Sequence, residues 1–213
     1  KSAILKNIYL QNNKSSAYFH KYSKNELSAG ANITSFIFPT GLRFNKLDLE
    51  FNLDGEKSEC NLQSASFLNH NEHQEIKTRI NHLSPNCKSY QKVKNVLNDE
   101  SKGVYQGKIF VKDVAQKTDA YQLSKALLLD DNSEFNSKPE LEIYADDVKC
   151  SHGSSSGNID QDSLHYLMTR GLNRKDSMSL LIKGFLNEII ELIKSPTLKK
   201  FTESKLEKQI NEH

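Results

Sequence analysis

A mainly β chain that ends in a short helical segment is what this sequence predicts, and three observations carry the prediction. Apolar and polar residues alternate in many short runs as far as about residue 150. Asn, Asp, Ser and Gly punctuate those runs, with no helical spacing between them. After Gly157 the apolar spacing changes to that of helices.

The alternation marks strands at residues 3–10, 33–38, 42–53, 59–67, 75–82, 103–111 and 141–143. The clearest sets Leu47, Leu49, Phe51 and Leu53 against Asp48, Glu50, Asn52 and Asp54, and Gly55 closes it. Turns are expected at Asn12-Asn13, Asp54-Gly55, Asn98-Asp99 and Asp130-Asp131-Asn132. This pattern fits a sandwich, a barrel or a parallel solenoid. The lack of a strict internal repeat counts against the solenoid.

The stretch Leu141-Glu-Ile-Tyr-Ala-Asp-Asp-Val-Lys-Cys-Ser-His-Gly153 reads as a half-buried strand running into an exposed tip. Gly153-Ser-Ser-Ser-Gly157 follows as a flexible break. Asp160 then suits an N-cap, with Leu164, Leu167 and Met168 as an apolar stripe and Gly171 as the C′ residue. Asn173 and Asp176 resemble a capping box for a second helix. Its apolar face holds Met178, Leu181, Ile182, Phe185, Ile189, Leu192 and Ile193, and Pro196 stops it. A third, more polar helical segment covers residues 197–212, with Leu198, Phe201, Leu206 and Ile210. The domain expectation is therefore 1–157 for the β unit and 158–213 for the helical one.

Cys150 and His152 are the candidate ligands. Residues i and i+2 of an extended strand share a face, and thiolate with neutral imidazole suits iron. Two residues cannot close a tetrahedral site, so a metal here would need ligands from another chain. Spacing alone leaves a second reading open, with Cys150 packed inward and His152 satisfying a local turn. Cys60 and Cys87 lack metal-site spacing and are expected in the core. His70 and His73 fall in a polar run read as a solvated loop, and His82 is expected to pack or hydrogen-bond. Asp146 and Asp147 would point to opposite faces as strand neighbours, which argues against an acid/base pair and for a turn or interface role.

Composition excludes several classes. Twenty-nine basic and 27 acidic side chains are interspersed and leave a formal charge of +2, no footprint for nucleic acid. No apolar run reaches the length of a membrane span. No phosphate-binding glycine motif or zinc-hydrolase motif is present. Three cysteines without a secretory leader suit a reducing compartment. The chain opens at Lys1 within an alternating pattern and is expected to be the C-terminal part of a longer protein.

Four segments carry a family resemblance. They are Pro139-Glu-Leu-Glu-Ile-Tyr-Ala-Asp-Asp-Val-Lys-Cys-Ser-His-Gly153, Leu164-His-Tyr-Leu-Met-Thr-Arg-Gly-Leu172, Val104-Tyr-Gln-Gly-Lys-Ile-Phe-Val111, and the run from Gln116-Lys-Thr-Asp-Ala-Tyr-Gln122 to Leu127-Leu-Leu129. On these the chain resembles the SufB/SufD family of iron–sulfur cluster assembly scaffolds of the SUF system. Its Cys-Ser-His-Gly motif places it on the SufD side. The resemblance implies a right-handed parallel β-helix followed by a C-terminal α-helical domain, in a non-enzymatic scaffold of the cytoplasm or a plastid-type organelle.

It also implies two partners. A SufB-like subunit would pair edge to edge with the strand of Cys150 and His152. A SufC-like ATPase would dock the helical domain, for which Tyr166, Leu167, Arg170, Met178 and Phe185 are the candidate contacts. His152 and Cys150 would lie at the cluster-assembly interface and share a metal with the partner chain. The cluster would be transient, and flavin is implied only for the assembled complex. Three alternatives carry less: a SufB-type paralogue, a degenerate member that binds partners only, and a carbohydrate-binding or carbohydrate-active β-solenoid. The last would want aromatic platforms, and the chain has no Trp.

Overall fold

The computed structural model describes residues 3–11, 15–39 and 41–211. Eleven strands come first: β1 (Ile4–Leu10), β2 (Ser15–Leu27), β3 (Asn32–Phe38), β4 (Leu42–Leu53), β5 (Glu59–Leu68), β6 (His73–His82), β7 (Lys88–Leu97), β8 (Lys102–Val111), β9 (Asp119–Leu128), β10 (Glu134–Ile143) and β11 (Lys149–Asn158). Three helices follow: α1 (Gln161–Thr169), α2 (Arg174–Ile190) and α3 (Pro196–Asn211). Odd strands form one parallel sheet in the order β1-β3-β5-β7-β9-β11, and even strands form a second in the order β10-β8-β6-β4-β2. The chain thus alternates between two sheets and climbs one rung per coil. It is a parallel β-solenoid of about five turns.

In such a stack each inner residue lies over the inner residue of the coil before. Phe51, Ile80, Ile109 and Leu141 make one inner column, and Leu47, Ile76, Tyr105 and Ser137 make another. The period shows on the outer face and at the turns as well. Asn81 Nδ2 donates to Asn52 Oδ1 (2.7 Å) and Asn98 Nδ2 to Asn69 Oδ1 (3.0 Å), each across 29 residues.

The structure corrects several sequence-based boundaries. Strands β2, β7, β9 and β11 were not expected, and β10 begins at Glu134 rather than Leu141. β7 and β9 hide because their inner faces carry Ser89, Gln91, Asn95, Gln122 and Ser124, so polar residues occupy buried positions. The expected Asn12-Asn13 turn and the end of the third helix at Glu212 lie outside the described residues.

The helices cover the outer face of the odd sheet. Phe36, Phe38, Ala65, Phe67 and Val96 point outward and share a core with Ile159, Leu164, Ile182, Leu186, Ile189, Ile190, Leu206 and Ile210. That is why β3, β5 and β7 end in unbroken buried runs: both faces are covered there. Asp160 caps α1 by accepting from the backbone N–H of Ser163 (3.1 Å), and Asn173 caps α2 by accepting from that of Asp176 (2.9 Å). Gly171 takes a left-handed φ of 97° as the C′ residue of α1. α2 ends at Ile190, so Leu192 falls in the following turn, exposed rather than on the buried face. Pro196 does not stop α2. It opens α3, where its missing N–H costs nothing.

One charge cluster fastens α2 to the sheet. Lys94 is buried on the outer face of β7, with its Nζ 2.8 Å from the Phe185 carbonyl oxygen, 4.4 Å from the Phe185 ring centre and bonded to Glu188. Lys92 holds the same carboxylate at 2.5 Å. The two lysines keep the Glu188 carboxyl down at about 2. Inside the stack, His82 is fully buried, with Nε2 2.8 Å from Ser89 Oγ and Nδ1 3.5 Å from Thr118 Oγ1. Burial holds its imidazole down at about 4.

Two predictions follow from these groups. The unfolded chain takes a proton at His82 near pH 6.5, whereas the folded chain resists protonation until about 4. Stability should therefore fall by about 3 kcal/mol as pH drops from 6.5 to 4. Glu188 contributes its loss only below about 4.5, so urea midpoints measured above that pH report His82, and His82→Gln should flatten them. Glu188→Ala strands a buried ammonium and should cost about 1–3 kcal/mol in urea titrations. Lys94→Met keeps the volume against Phe185 and should cost less.

Candidate functional site

β10 ends at Ile143, and the chain turns through Asp146 and Asp147, with buried Ala145 as the anchor. It returns as β11, in parallel register with β9 from Lys149 opposite Asp119 to Asn158 opposite Leu128. Gly153-Ser-Ser-Ser-Gly157 is therefore not a flexible break. The β9 ladder holds this low-propensity segment extended, and its small residues suit close backbone approach: a Cβ at Gly153 would come within 3.1 Å of Leu123 Cδ1. Nor do Cys150 and His152 sit on a tip. They lie within the last strand of the odd sheet.

Register assigns their face. Cys150 lies over Ala120, His152 over Gln122, Ser154 over Ser124 and Ser156 over Ala126. All four lower residues are buried, so the upper four continue the inner face. Cys150 and His152 share that face but not an environment. Cys150 is half-buried against Ile109, Val111, Ala115, Ala120 and Ala145, and burial raises its thiol pKa. His152 is exposed, and among the described residues neither ring nitrogen has a hydrogen-bond partner. His20, His70 and His73 differ, each holding a carboxylate at 2.7, 2.6 and 3.2 Å. No group of three or more His, Cys, Asp or Glu side chains that could hold a metal ion occurs among the described residues. The arrangement offers an imidazole and a thiol to a metal but does not enclose one.

Beneath His152 the interior is polar. Gln91, Gln122 and His152 are successive rungs of one column. The Gln122 Nε2 group donates to the carbonyls of Gly107 (3.2 Å) and Glu140 (3.4 Å), and its Oε1 lies 3.2 Å from the Tyr105 hydroxyl. Next to it, Ser124 Oγ lies 2.7 Å from Ser137 Oγ and 3.0 Å from Ser154 Oγ.

The two terminal strands present different edges. The backbone N–H groups of Glu134 and Tyr144 donate to β8-side carbonyls, so the alternating odd residues of β10 face away, and Pro139 puts a position without N–H on the free edge. Lys149 donates to the Thr118 carbonyl, which turns the backbone N–H and C=O of Cys150, His152, Ser154 and Ser156 to the free edge of β11. No proline interrupts that edge.

The comparisons with known proteins bear on this architecture. Residues 1–185 match the family described as "SUF system FeS cluster assembly, SufBD core domain". The chain is 34% identical over 182 residues to the iron–sulfur cluster assembly protein SufD of Escherichia coli, which covers 84% of this chain and 43% of that protein. This chain belongs to the SufBD core family. An iron–sulfur cluster assembly SufBD family protein of Synechocystis is 40% identical over 114 residues, 54% of this chain and 25% of its own. Protein ABCI7, chloroplastic, of Arabidopsis thaliana is 40% identical over 96 residues, 45% of this chain and 20% of its own. The chain thus spans less than half the length of these relatives. The E. coli and Synechocystis proteins are named for cluster assembly, not for a catalysed reaction.

For this SufBD chain the other candidate residues divide. Tyr166 is 57% exposed, with the Arg170 guanidinium 5.1 Å from its ring centre. Tyr166 and Leu167 line a surface groove between α1 and α2 with Leu180 and Leu181. Met178 and Phe185 instead pack on the chain's own core. Cys60 and Cys87 are buried, as their spacing suggested. His70 sits in a turn while His73 begins β6, so they do not act together. Sequence reasoning missed Gln122, Tyr105 and Gly107, whose signal was polar residues and glycine repeating at inner positions. A Cβ at Gly107 would lie 2.2 Å from Gln122 Oε1 and 2.3 Å from the Tyr105 hydroxyl. Gly107→Ala should therefore cost about 1–3 kcal/mol in thermal or urea unfolding.

Proposed function

We propose that this chain is the SufD-type scaffold subunit of a SUF iron–sulfur cluster assembly complex, in a bacterial cytoplasm or a plastid. One observation carries the reading: an imidazole that is exposed and without a hydrogen-bond partner among the described residues, beside a half-buried thiol, sits on the inner face of a strand whose outer edge is unpaired among those residues. A SufB-like subunit would complete that edge by strand pairing. Its side chains would then meet His152 and Cys150 across the seam and supply the ligands that this chain lacks. The cluster is cargo, formed at the seam and passed on.

The helical segment would dock a SufC-like ATPase through the exposed face of α1 and α2, where Tyr166, Leu167 and Arg170 lie with Leu180. Met178 and Phe185 serve that surface only by supporting it from below. ATP hydrolysis would belong to the docked subunit. No helix among the described residues is long and apolar enough to cross a membrane.

Co-purification of the full-length subunit with SufB-like and SufC-like partners, followed by anaerobic cluster reconstitution, tests this reading. His152→Ala should leave the complex intact and lower cluster yield at least tenfold. Normal yield from His152→Ala would remove His152 from the chemistry. Failure of the wild-type subunit to bind either partner would overturn the assignment.

A further inference from the structure

The interior beneath His152 is polar and hydrogen-bonded across the two sheets. Some inner columns are apolar throughout, as with Phe51, Ile80 and Ile109. The column that ends at His152 rises from Asn7 and Ser35 through Leu62 to Gln91 and Gln122, and both glutamines are buried. Burying an amide is tolerable only when its hydrogen bonds are met. Gln122 meets this with both amide hydrogens on carbonyls of the opposite sheet, one on β8 and one on β10, and its Oε1 in reach of Tyr105. Gly107 makes room, since any side chain there would collide with Gln122 and Tyr105. Gln91 is less well served: Tyr105 reaches its Oε1 (3.3 Å), and its Nε2 has no partner. Aliphatic side chains of the same shape could fill this slot at little cost to stability.

We propose that Gln122, set by Tyr105 and Gly107, is a positioning residue for His152. Gln122 spans the interior and ties β9 to β8 and β10, so the odd-sheet rung directly below the imidazole is held at a fixed separation from the end of the even sheet. The floor it forms is polar yet carries no formal charge. His152 thus rests over neutral amides and a hydroxyl, not beside a carboxylate as His20, His70 and His73 do. A carboxylate partner would occupy a ring nitrogen. The neutral floor leaves both nitrogens free to meet a metal or a proton donor from across the seam. This inference rests on the assembly role proposed for His152.

The test uses the full complex with Gln122→Met, which keeps side-chain length and removes the hydrogen bonds, and with Tyr105→Phe, which removes one hydroxyl. Partner binding, cluster yield from ferrous iron and sulfide, and the ring resonances of His152 in histidine-labelled protein are read together. Gln122→Met should retain both partners, lower cluster yield about tenfold and split or shift the His152 resonances. Tyr105→Phe should do the same to a smaller extent, about threefold, and it carries the test if Gln122→Met fails to assemble. Wild-type yield or unchanged His152 resonances in the assembled variants would overturn the positioning role, even with a lowered melting temperature. If His152→Ala itself assembles clusters normally, it is the assembly role that fails, and the His152 resonances alone then decide whether Gln122 positions the ring.

Discussion

Everything in this molecule follows from in-register parallel stacking. Two sheets rise one rung per coil, and each inner residue must fit the residue directly below it and the one across the interior. Columns such as Phe51, Ile80, Ile109 and Leu141 satisfy this with close-packed hydrocarbon. Others satisfy it with hydrogen-bonded rungs, as at Ser66 with Asn95 and at Ser124 with Ser154. The same rule leaves the last rung without a roof. Cys150 escapes exposure because Ala145 and its turn fold against it, whereas nothing among the described residues covers His152. The proposed site lies where stacking stops.

The end of a sheet is also where association is hardest to prevent. The two terminal strands handle this in opposite ways. Pro139 breaks the donor row of β10, and Ser and Gly leave that of β11 intact and uncluttered. Such a difference suits directed pairing along one sheet, with the second sheet kept from continuing into a partner. The helices add a constraint at the other side. Lys94 and Glu188 fasten α2 to β7, so a partner bound to the helices would pull on the stack itself and not on a loose appendage.

Much of the fold was legible in the sequence. The strands of Leu47–Leu53 type, the caps at Asp160 and Asn173 and the buried cysteines all stand where spacing placed them. The solenoid was less visible because its repeat is one of position and not of residue type. Asn52 to Asn81 and Asn69 to Asn98 keep the 29-residue period, while Tyr105 replaces the aliphatic rung below it. β7, β9 and β11 escaped alternation for a related reason: Gln91, Gln122 and Ser124 are buried polar residues, and β11 is held by its neighbour's ladder and not by propensity. Cys150 and His152 were legible as a pair on one face. Their different burial was not, since it depends on a turn that only the folded chain brings over Cys150.

The central claim is that the free edge of β11 receives a partner strand at His152. Amide hydrogen exchange measured on the subunit alone and in complex with its SufB-like partner tests this most directly. In the free subunit, the amides of Cys150, His152, Ser154 and Ser156 should exchange fast, while those of Ser151, Gly153 and Ser155, bonded to β9, exchange slowly. Complex formation should slow the first set and leave the second unchanged. Fast exchange of Cys150, His152, Ser154 and Ser156 within a complex that remains intact would contradict the account.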